Sequence, residues 1–305
     1  MRYVVTGAAG FIGSHLAEAL IAQGHDIVAV DSYTDYYDPA LKEENAAGFD
    51  VSRLDLAEDE LALDGFDGVF HLAGQPGVRS FGTVFNDYVR RNLLATQRVF
   101  ESAARAGVRV VFASSSSVYG DAERYPTAED AQPSPISPYG ITKLGCEHLA
   151  YAYAKGFGLD AVVLRYFTVY GPRQRPDMAF ARVVDALARS ASFELYGDGL
   201  QSRSFTFVAD AVEGTVAAMR GAHAGALYNV GGGAEATMRD AIATLERVSE
   251  RTLDVVEKPA AAGDVRRTAA DTRRIEGELG WHATTALEDG LRAQWQWASV
   301  RVAAA

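Results

Sequence analysis

Gly7-Ala8-Ala9-Gly10-Phe11-Ile12-Gly13 stands between a short apolar run, Arg2 to Thr6, and Ser14-His15-Leu16-Ala17-Glu18-Ala19-Leu20-Ile21, which reads as a helix. Strand, glycine-rich turn and helix in that order form a phosphate-binding unit. Gly7 permits the tight turn, and Gly10 lets the backbone approach a pyrophosphate. Gly13 lets helix and strand pack closely, with phosphates at the helix N-terminus. The spacing is G-x-x-G-x-x-G, one residue different from the usual dinucleotide pattern. A second strand, Asp26 to Val30, ends in Asp31. A carboxylate there binds both hydroxyls of an adenosine ribose and repels a 2′-phosphate, so the expected cofactor is NAD rather than NADP.

Further strands follow in the same direction. Asp55, in Arg53-Leu54-Asp55-Leu56, comes after a third short strand and can reach an adenine amino group. A fourth, Gly68 to Leu72, leads into Ala73-Gly74-Gln75-Pro76-Gly77, small residues suited to passing beside a cofactor. His71 reads as a structural residue of the strand end. From about Thr83 to Ala106 the apolar positions recur at near-helical spacing, with Asn92 inside the helix, where its amide needs a partner. The fifth strand, Val108 to Ala113, is apolar throughout, as a parallel strand covered on both faces should be. It delivers Ser114-Ser115-Ser116-Ser117 to the sheet edge at which ligands of such folds bind.

Composition narrows the class. The 305 residues carry a net charge of −11, the wrong sign for a general nucleic-acid or acidic-membrane binder. Hydrophobic content of 48% and charged content of 23% are those of a folded protein with a real core. Cys146 is the single cysteine and reads as a buried or interface thiol. The six histidines are scattered without metal-ligand spacing, so no metal site is expected. No apolar run reaches membrane-spanning length, and no secretory signal pattern opens the chain. The expected location is the cytoplasm.

Ser137-Pro138-Tyr139-Gly140-Ile141-Thr142-Lys143 contains the chemistry. Ser137 and Pro138 mark a helix start, and a tyrosine and a lysine four apart share one helix face. A free phenol, with a pKa of about 10, is a poor base at neutral pH. A nearby ammonium and the positive end of a helix favour the anionic form that abstracts a proton. Tyr139 is therefore the candidate acid/base, with Lys143 one turn below it.

With Thr6 to His15, Ser115-Ser116-Ser117-Val118-Tyr119-Gly120, Tyr139 to Lys143 and Arg165-Tyr166-Phe167-Thr168-Val169-Tyr170-Gly171-Pro172 all in order, the chain resembles the extended short-chain dehydrogenase/reductase family over its whole length. Asp35 to Lys42, Gln75 to Ser80 and Tyr170 to Phe180 resemble its nucleotide-sugar epimerases, and within those the UDP-glucuronate 4-epimerases. The resemblance implies an α/β, Rossmann-type doubly wound parallel sheet with a smaller C-terminal substrate-binding lobe. Residues 1–168 would bind NAD and 169–305 would mainly bind the nucleotide sugar, with some later segments returning to the first lobe. It also implies a homodimer, formed by the helices that begin near Thr83 and Pro138.

The same resemblance assigns roles. Tyr139 would take the proton from sugar O4, Lys143 would hold the nicotinamide ribose, and Ser115 would bond O4. Cofactor contacts would come from Gly7, Gly10, Phe11, Ile12 and Gly13, from Asp31, Ser32, Asp55 and Leu56, and from Leu72, Ala73, Gly74 and Gln75. Tyr166 would lie beside the nicotinamide, and Asn92 and Ser114 would be cofactor or scaffold contacts. Arg203 resembles the family's pyrophosphate contact, Gln201 would also touch the substrate, and Tyr196 is equally well placed as a uracil platform or a core aromatic. In Gly263 to Asp271, Asp264 would serve ribose and Arg267 phosphate, with Arg266 the alternative. Ala179 and Phe180 would also touch the substrate.

Departures from the family pattern point to the sugar. Thr168 stands where many relatives have asparagine, and Ser116 and Ser117 stand where related decarboxylases have glutamate before Val-Tyr-Gly and dehydratases have Asp-Glu. Oxidising C4 of UDP-glucuronate gives a β-keto acid that loses CO2 when its carboxylate is aligned for it. Hydroxyl donors hold that carboxylate without like-charge repulsion. Ser116, Ser117 and Thr168 are thus the expected carboxylate holders, with Arg79 and Arg175 as cationic support; Ser116 and Ser117 as residues that only shape the turn is the other reading. The competing activities are UDP-glucuronate decarboxylase and UDP-glucose 4-epimerase. A non-catalytic NAD-binding scaffold would lack the Tyr139, Lys143 and Ser115 set.

Overall fold

The structure, a computed structural model, describes residues 1–77, 82–259 and 265–304. Seven parallel strands form the central sheet. In spatial order they are Leu227–Val230, Ala161–Tyr166, Arg109–Ser115, Gly68–His71, Arg2–Thr6, Asp26–Asp31 and Val51–Arg53. Strand order reverses beside Arg2–Thr6, so a crevice opens at the carboxyl ends of Arg2–Thr6 and its neighbours.

Alternation along each strand builds two cores. Val5, Phe70, Val111 and Val162 face one side, where Leu16 and Leu20 of the helix Phe11–Ala22 pack with Val212 and Met219 of the helix Val208–Gly221. Val4, Val69, Val110, Phe112 and Val163 face the other, against Val99 and Phe100 of Ala95–Ala106 and Cys146 and Ala150 of Pro138–Phe157. Burial on both faces explains the continuous apolar runs. The sheet is the doubly wound parallel one that the sequence implies.

Smaller sheets lie beyond Phe167. Ser202–Phe207 pairs with Thr168–Tyr170, Ala234–Thr237 and Arg267–Thr268, and Asp254–Lys258 pairs with Ser192–Tyr196. A third core, including Tyr170, Phe180, Val183, Phe205, Leu245 and Leu291, holds them to the helices Ala179–Arg189, Met238–Ser249 and Leu287–Ala304. The long helix read from Thr83 to Ala106 is not regular. It opens with a 3-10 turn at Gly82–Val84 and passes through π geometry over Val89–Leu94 before Ala95–Ala106. Among the described residues no helix is long and apolar enough to cross a membrane.

Candidate active site

A cleft of about 710 Å³ runs along the carboxyl ends of the strands and under the smaller sheets. At one end lies the glycine turn. Gly7 has φ +68°, and a methyl group on Gly13 would stand 2.0 Å from the Gly7 carbonyl oxygen, so neither position accepts a side chain without displacing backbone. Gly10 caps the helix Phe11–Ala22 with no side-chain cap and no acidic residue in the first turn. Gly10, Phe11, Ile12 and Gly13 line the cleft, and an uncapped helix N-terminus there fits a pyrophosphate. Asp31, 8% exposed, is fixed by the amides of Ala9 (3.2 Å) and Tyr33 (2.8 Å). Ser32, Asp55, Leu56, Leu72, Ala73, Gly74 and Gln75 continue the wall.

The Tyr139 helix begins as its sequence predicts. Ser137 is the N-cap, its hydroxyl accepting the Gly140 amide at 3.1 Å, and Pro138 occupies the first turn of Pro138–Phe157. Lys143, 4% exposed, donates to the Ala113 carbonyl at 2.8 Å, and its ammonium lies 6.0 Å from the Tyr139 ring centre. Gly140 allows the helix to press on the serine turn: a methyl group there would meet the Ser117 carbonyl oxygen at 2.5 Å. Ser115 caps the 3-10 turn Ser116–Val118, accepting the Ser117 amide at 3.1 Å and donating to the Ser117 hydroxyl at 3.1 Å. Ser115, Ser116, Ser117, Tyr139, Lys143, Tyr166, Thr168 and Arg175 all line the cleft. So do Ala179, Tyr196, Gln201 and Arg203, whose guanidinium donates to the Val265 carbonyl at 2.5 Å.

Hydrogen bonds from within the fold fix the wall of this cleft. Asn92 is not a cleft residue: its side chain accepts the Gln75 amide at 2.7 Å and donates to the Gln75 carbonyl and to Thr142, fixing the loop that passes the cleft. Asn92 lies within the π turn Val89–Leu94. Ser114 lines the cleft but its hydroxyl donates to Glu147 at 2.5 Å, and Glu147 pairs with buried Arg165 at 2.7 Å. The Tyr166 hydroxyl is bonded to Thr215 at 2.6 Å. His71 is fully buried between Thr6 (2.8 Å) and Thr96 (3.0 Å), and burial together with the Lys143 charge pushes its pKa down to about 3. Cys146 is buried, and burial raises its thiol pKa, as a structural cysteine requires.

Two of the residues expected at the substrate do not line the cleft. The Phe180 ring is 1% exposed and packs on Tyr170 and Phe205, so its apolar surface belongs to the core of the lobe. Arg267 is bidentate to Glu235 at 2.7 and 2.8 Å and stacked on Tyr125; Arg266 pairs with Asp198. Arg79 and Asp264 lie outside the described residues. Sequence reasoning also missed cleft residues: Lys42, Arg91, Tyr36 and Asp177. Lys42 is 5% exposed and donates to Thr34, and Arg91 donates to the Gln75 side chain at 2.7 Å. The stretch Asp35 to Lys42, set apart by its resemblance to the nucleotide-sugar epimerases, was the available signal for Tyr36 and Lys42.

Residues 3–231 match the model of the NAD dependent epimerase/dehydratase family. Over 303 residues, 95% of this chain and 96% of the relative, the chain is 39% identical to the uncharacterized UDP-glucose epimerase YtcB of Bacillus subtilis. It is 33% identical to UDP-glucuronate 4-epimerase of Thermodesulfobacterium geofontis, covering 98% of this chain and 97% of that protein. Its structure is similar to the crystal structure of UDP-glucuronic acid 4-epimerase from Bacillus cereus in complex with UDP-glucuronic acid and NAD, with a TM-score of 0.95, 38% identity, and coverage of 99% of this chain and 100% of that one.

Proposed function

The chain belongs to the NAD-dependent epimerase/dehydratase family, and from that premise we propose that it is a UDP-glucuronate 4-epimerase, an isomerase that interconverts UDP-glucuronate and UDP-galacturonate. One observation carries the reading: Tyr139, Ser115, Ser117, Thr168 and Arg175 converge on a single cleft whose other end is a glycine-cradled, uncapped helix N-terminus. The first set suits an oxidisable sugar bearing a carboxylate, and the second suits a dinucleotide.

Bound NAD would supply the hydride acceptor and donor for C4 of the sugar, so no net oxidation would occur. Tyr139 takes the O4 proton as C4 is oxidised and returns it when C4 is reduced. Ser115 bonds O4 and keeps it beside the phenol. Lys143, fixed by the Ala113 carbonyl, holds the nicotinamide ribose and places a positive charge one turn below Tyr139. Gly10 to Gly13 and Asp31 hold the cofactor's pyrophosphate and adenosine ribose. Arg203, with Tyr196 and Gln201, holds the UDP portion, since a planar multi-donor cation suits pyrophosphate. The 4-keto sugar turns about that anchor and presents its other face.

Ser116, Ser117 and Thr168, with Arg175, hold the sugar carboxylate. Decarboxylation moves negative charge from the carboxylate onto the C4 oxygen, so donors that stabilise the carboxylate raise that barrier. We assign residues 1–168 mainly to the cofactor and 169–305 mainly to the nucleotide sugar. The exposed Phe85 and Val89, with Ile141 and Tyr151 on the Tyr139 helix, support a homodimer through these helices. The unpaired Cys146 is consistent with a cytoplasmic location.

The test is to incubate the purified protein with UDP-glucuronate and no added reductant, then resolve products by chromatography and mass. A product of unchanged mass and the retention of UDP-galacturonate supports the epimerase. A product lighter by CO2, or turnover of UDP-glucose alone, refutes the assignment.

A further inference from the structure

Arg175 is held by Asp177, and Asp177 in turn is held by Tyr36. Its Nε and Nη2 donate to the two carboxylate oxygens of Asp177, each at 3.0 Å. Asp177 Oδ2 also accepts the Tyr36 hydroxyl at 3.2 Å, across 141 positions of sequence. All three side chains line the cleft. A bidentate pair leaves the guanidinium with Nη1 and the outer Nη2 proton for a second acceptor, in one fixed plane. Because Asp177 offsets the charge, what remains for a ligand is direction more than net charge.

The Tyr36 hydroxyl is itself placed. It comes from the segment that leaves Asp31, whose carboxylate turns the chain by accepting the Tyr33 amide at 2.8 Å. On its far side it packs on Gly77, where a methyl group would stand 2.8 Å from the hydroxyl oxygen, and the Gly77 carbonyl is held by Tyr88 at 2.5 Å. Burial and the adjacent Asp177 carboxylate push the Tyr36 phenol up to about 12, so it remains a donor throughout the neutral range.

We propose that Asp177 and Tyr36 are positioning residues that fix the plane of Arg175 and thereby decide whether the 4-keto acid keeps its carboxylate. The inference rests on the reading of the cleft given above. In the unwanted step, the C5–C6 bond breaks and its electron pair moves onto the C4 carbonyl as an enolate. CO2 leaves, and a proton returns to C5. A guanidinium held in one plane bonds the carboxylate in the orientation that opposes this bond cleavage, and one free to rotate does not.

The experiment compares the wild-type protein, Tyr36→Phe, Asp177→Asn and Asp177→Glu with UDP-glucuronate, measuring UDP-galacturonate and the decarboxylated 4-keto pentose by mass. Bound cofactor is measured by absorbance after denaturation as a check on folding. Tyr36→Phe and Asp177→Asn are expected to raise the decarboxylated fraction about tenfold, the effect of one charge-assisted hydrogen bond, with cofactor content unchanged. Asp177→Glu should restore part of the wild-type partition. Wild-type protein that makes no UDP-galacturonate would overturn the activity and this inference with it. Wild-type protein that makes it, with Tyr36→Phe and Asp177→Asn keeping the same partition, would overturn this inference alone.

Discussion

Lys143 Nζ lies 6.0 Å from the centre of the Tyr139 ring and donates to the carbonyl oxygen of Ala113 at 2.8 Å. The cation is therefore fixed to the strand that carries Ser115 two residues later, and helix and strand deliver the acid/base and its hydroxyl partner as one rigid unit. Rigid support of this kind is what lets a proton be moved at one oxygen without reorganisation.

Tyr139→Phe removes the proton-carrying hydroxyl and keeps the ring. Turnover should fall by about a thousandfold, the usual weight of a general acid/base. Bound cofactor, read by absorbance after denaturation, should stay at the wild-type level. Unchanged turnover would remove Tyr139 from the chemistry.

Gly140→Ala tests the contact between the helix and the serine turn. Its methyl group would stand 2.5 Å from the Ser117 carbonyl oxygen and 3.0 Å from Pro135 Cβ. Strain should cost about 1–3 kcal/mol, and displacement of Ser115 to Ser117 should lower kcat more than it raises KM. Urea denaturation and steady-state kinetics read the two effects.

Arg165→Met tests the support behind Ser114. The Arg165 and Glu147 side chains are 4% and 9% exposed and pair at 2.7 Å, so the substitution leaves a buried carboxylate without its cation. The expected destabilisation is about 3–5 kcal/mol in urea denaturation. Replacement of both residues by apolar ones should recover part of that loss.

His71 gives the acid side of the stability curve. Its folded pKa of about 3 lies below the unfolded value, so between the two the unfolded chain binds more protons. The contribution is complete above about pH 6.5, declines as pH falls, and reaches a loss of about 2 kcal/mol at pH 5. His71→Gln should flatten the stability slope between pH 6.5 and 4. An unchanged slope would place the acid sensitivity elsewhere.

Local chemistry made much of this legible. Gly7 to Gly13, Asp31 and the Tyr139–Lys143 pair each owe their meaning to neighbours a few positions away, and the parallel sheet follows from apolar runs such as Val108 to Ala113. Three kinds of information were not local. Phe180 and Arg267 are in motifs that run beside the cleft, but the lobe core takes the ring and Glu235 takes the guanidinium. Asn92 reads as a helix residue needing a partner, and only the fold shows that the partner is the Gln75 backbone. Tyr36 and Asp177 meet across 141 positions, a pairing that no periodicity encodes.

The most direct measurement uses UDP-glucuronate carrying deuterium at C4, in ordinary water, with UDP-galacturonate isolated and weighed. Hydride that leaves C4 and returns to it inside one closed cleft keeps the label, so the product is expected to retain its deuterium. Product that has lost the label to solvent would contradict an oxidation and return at C4 and would require proton chemistry at carbon instead.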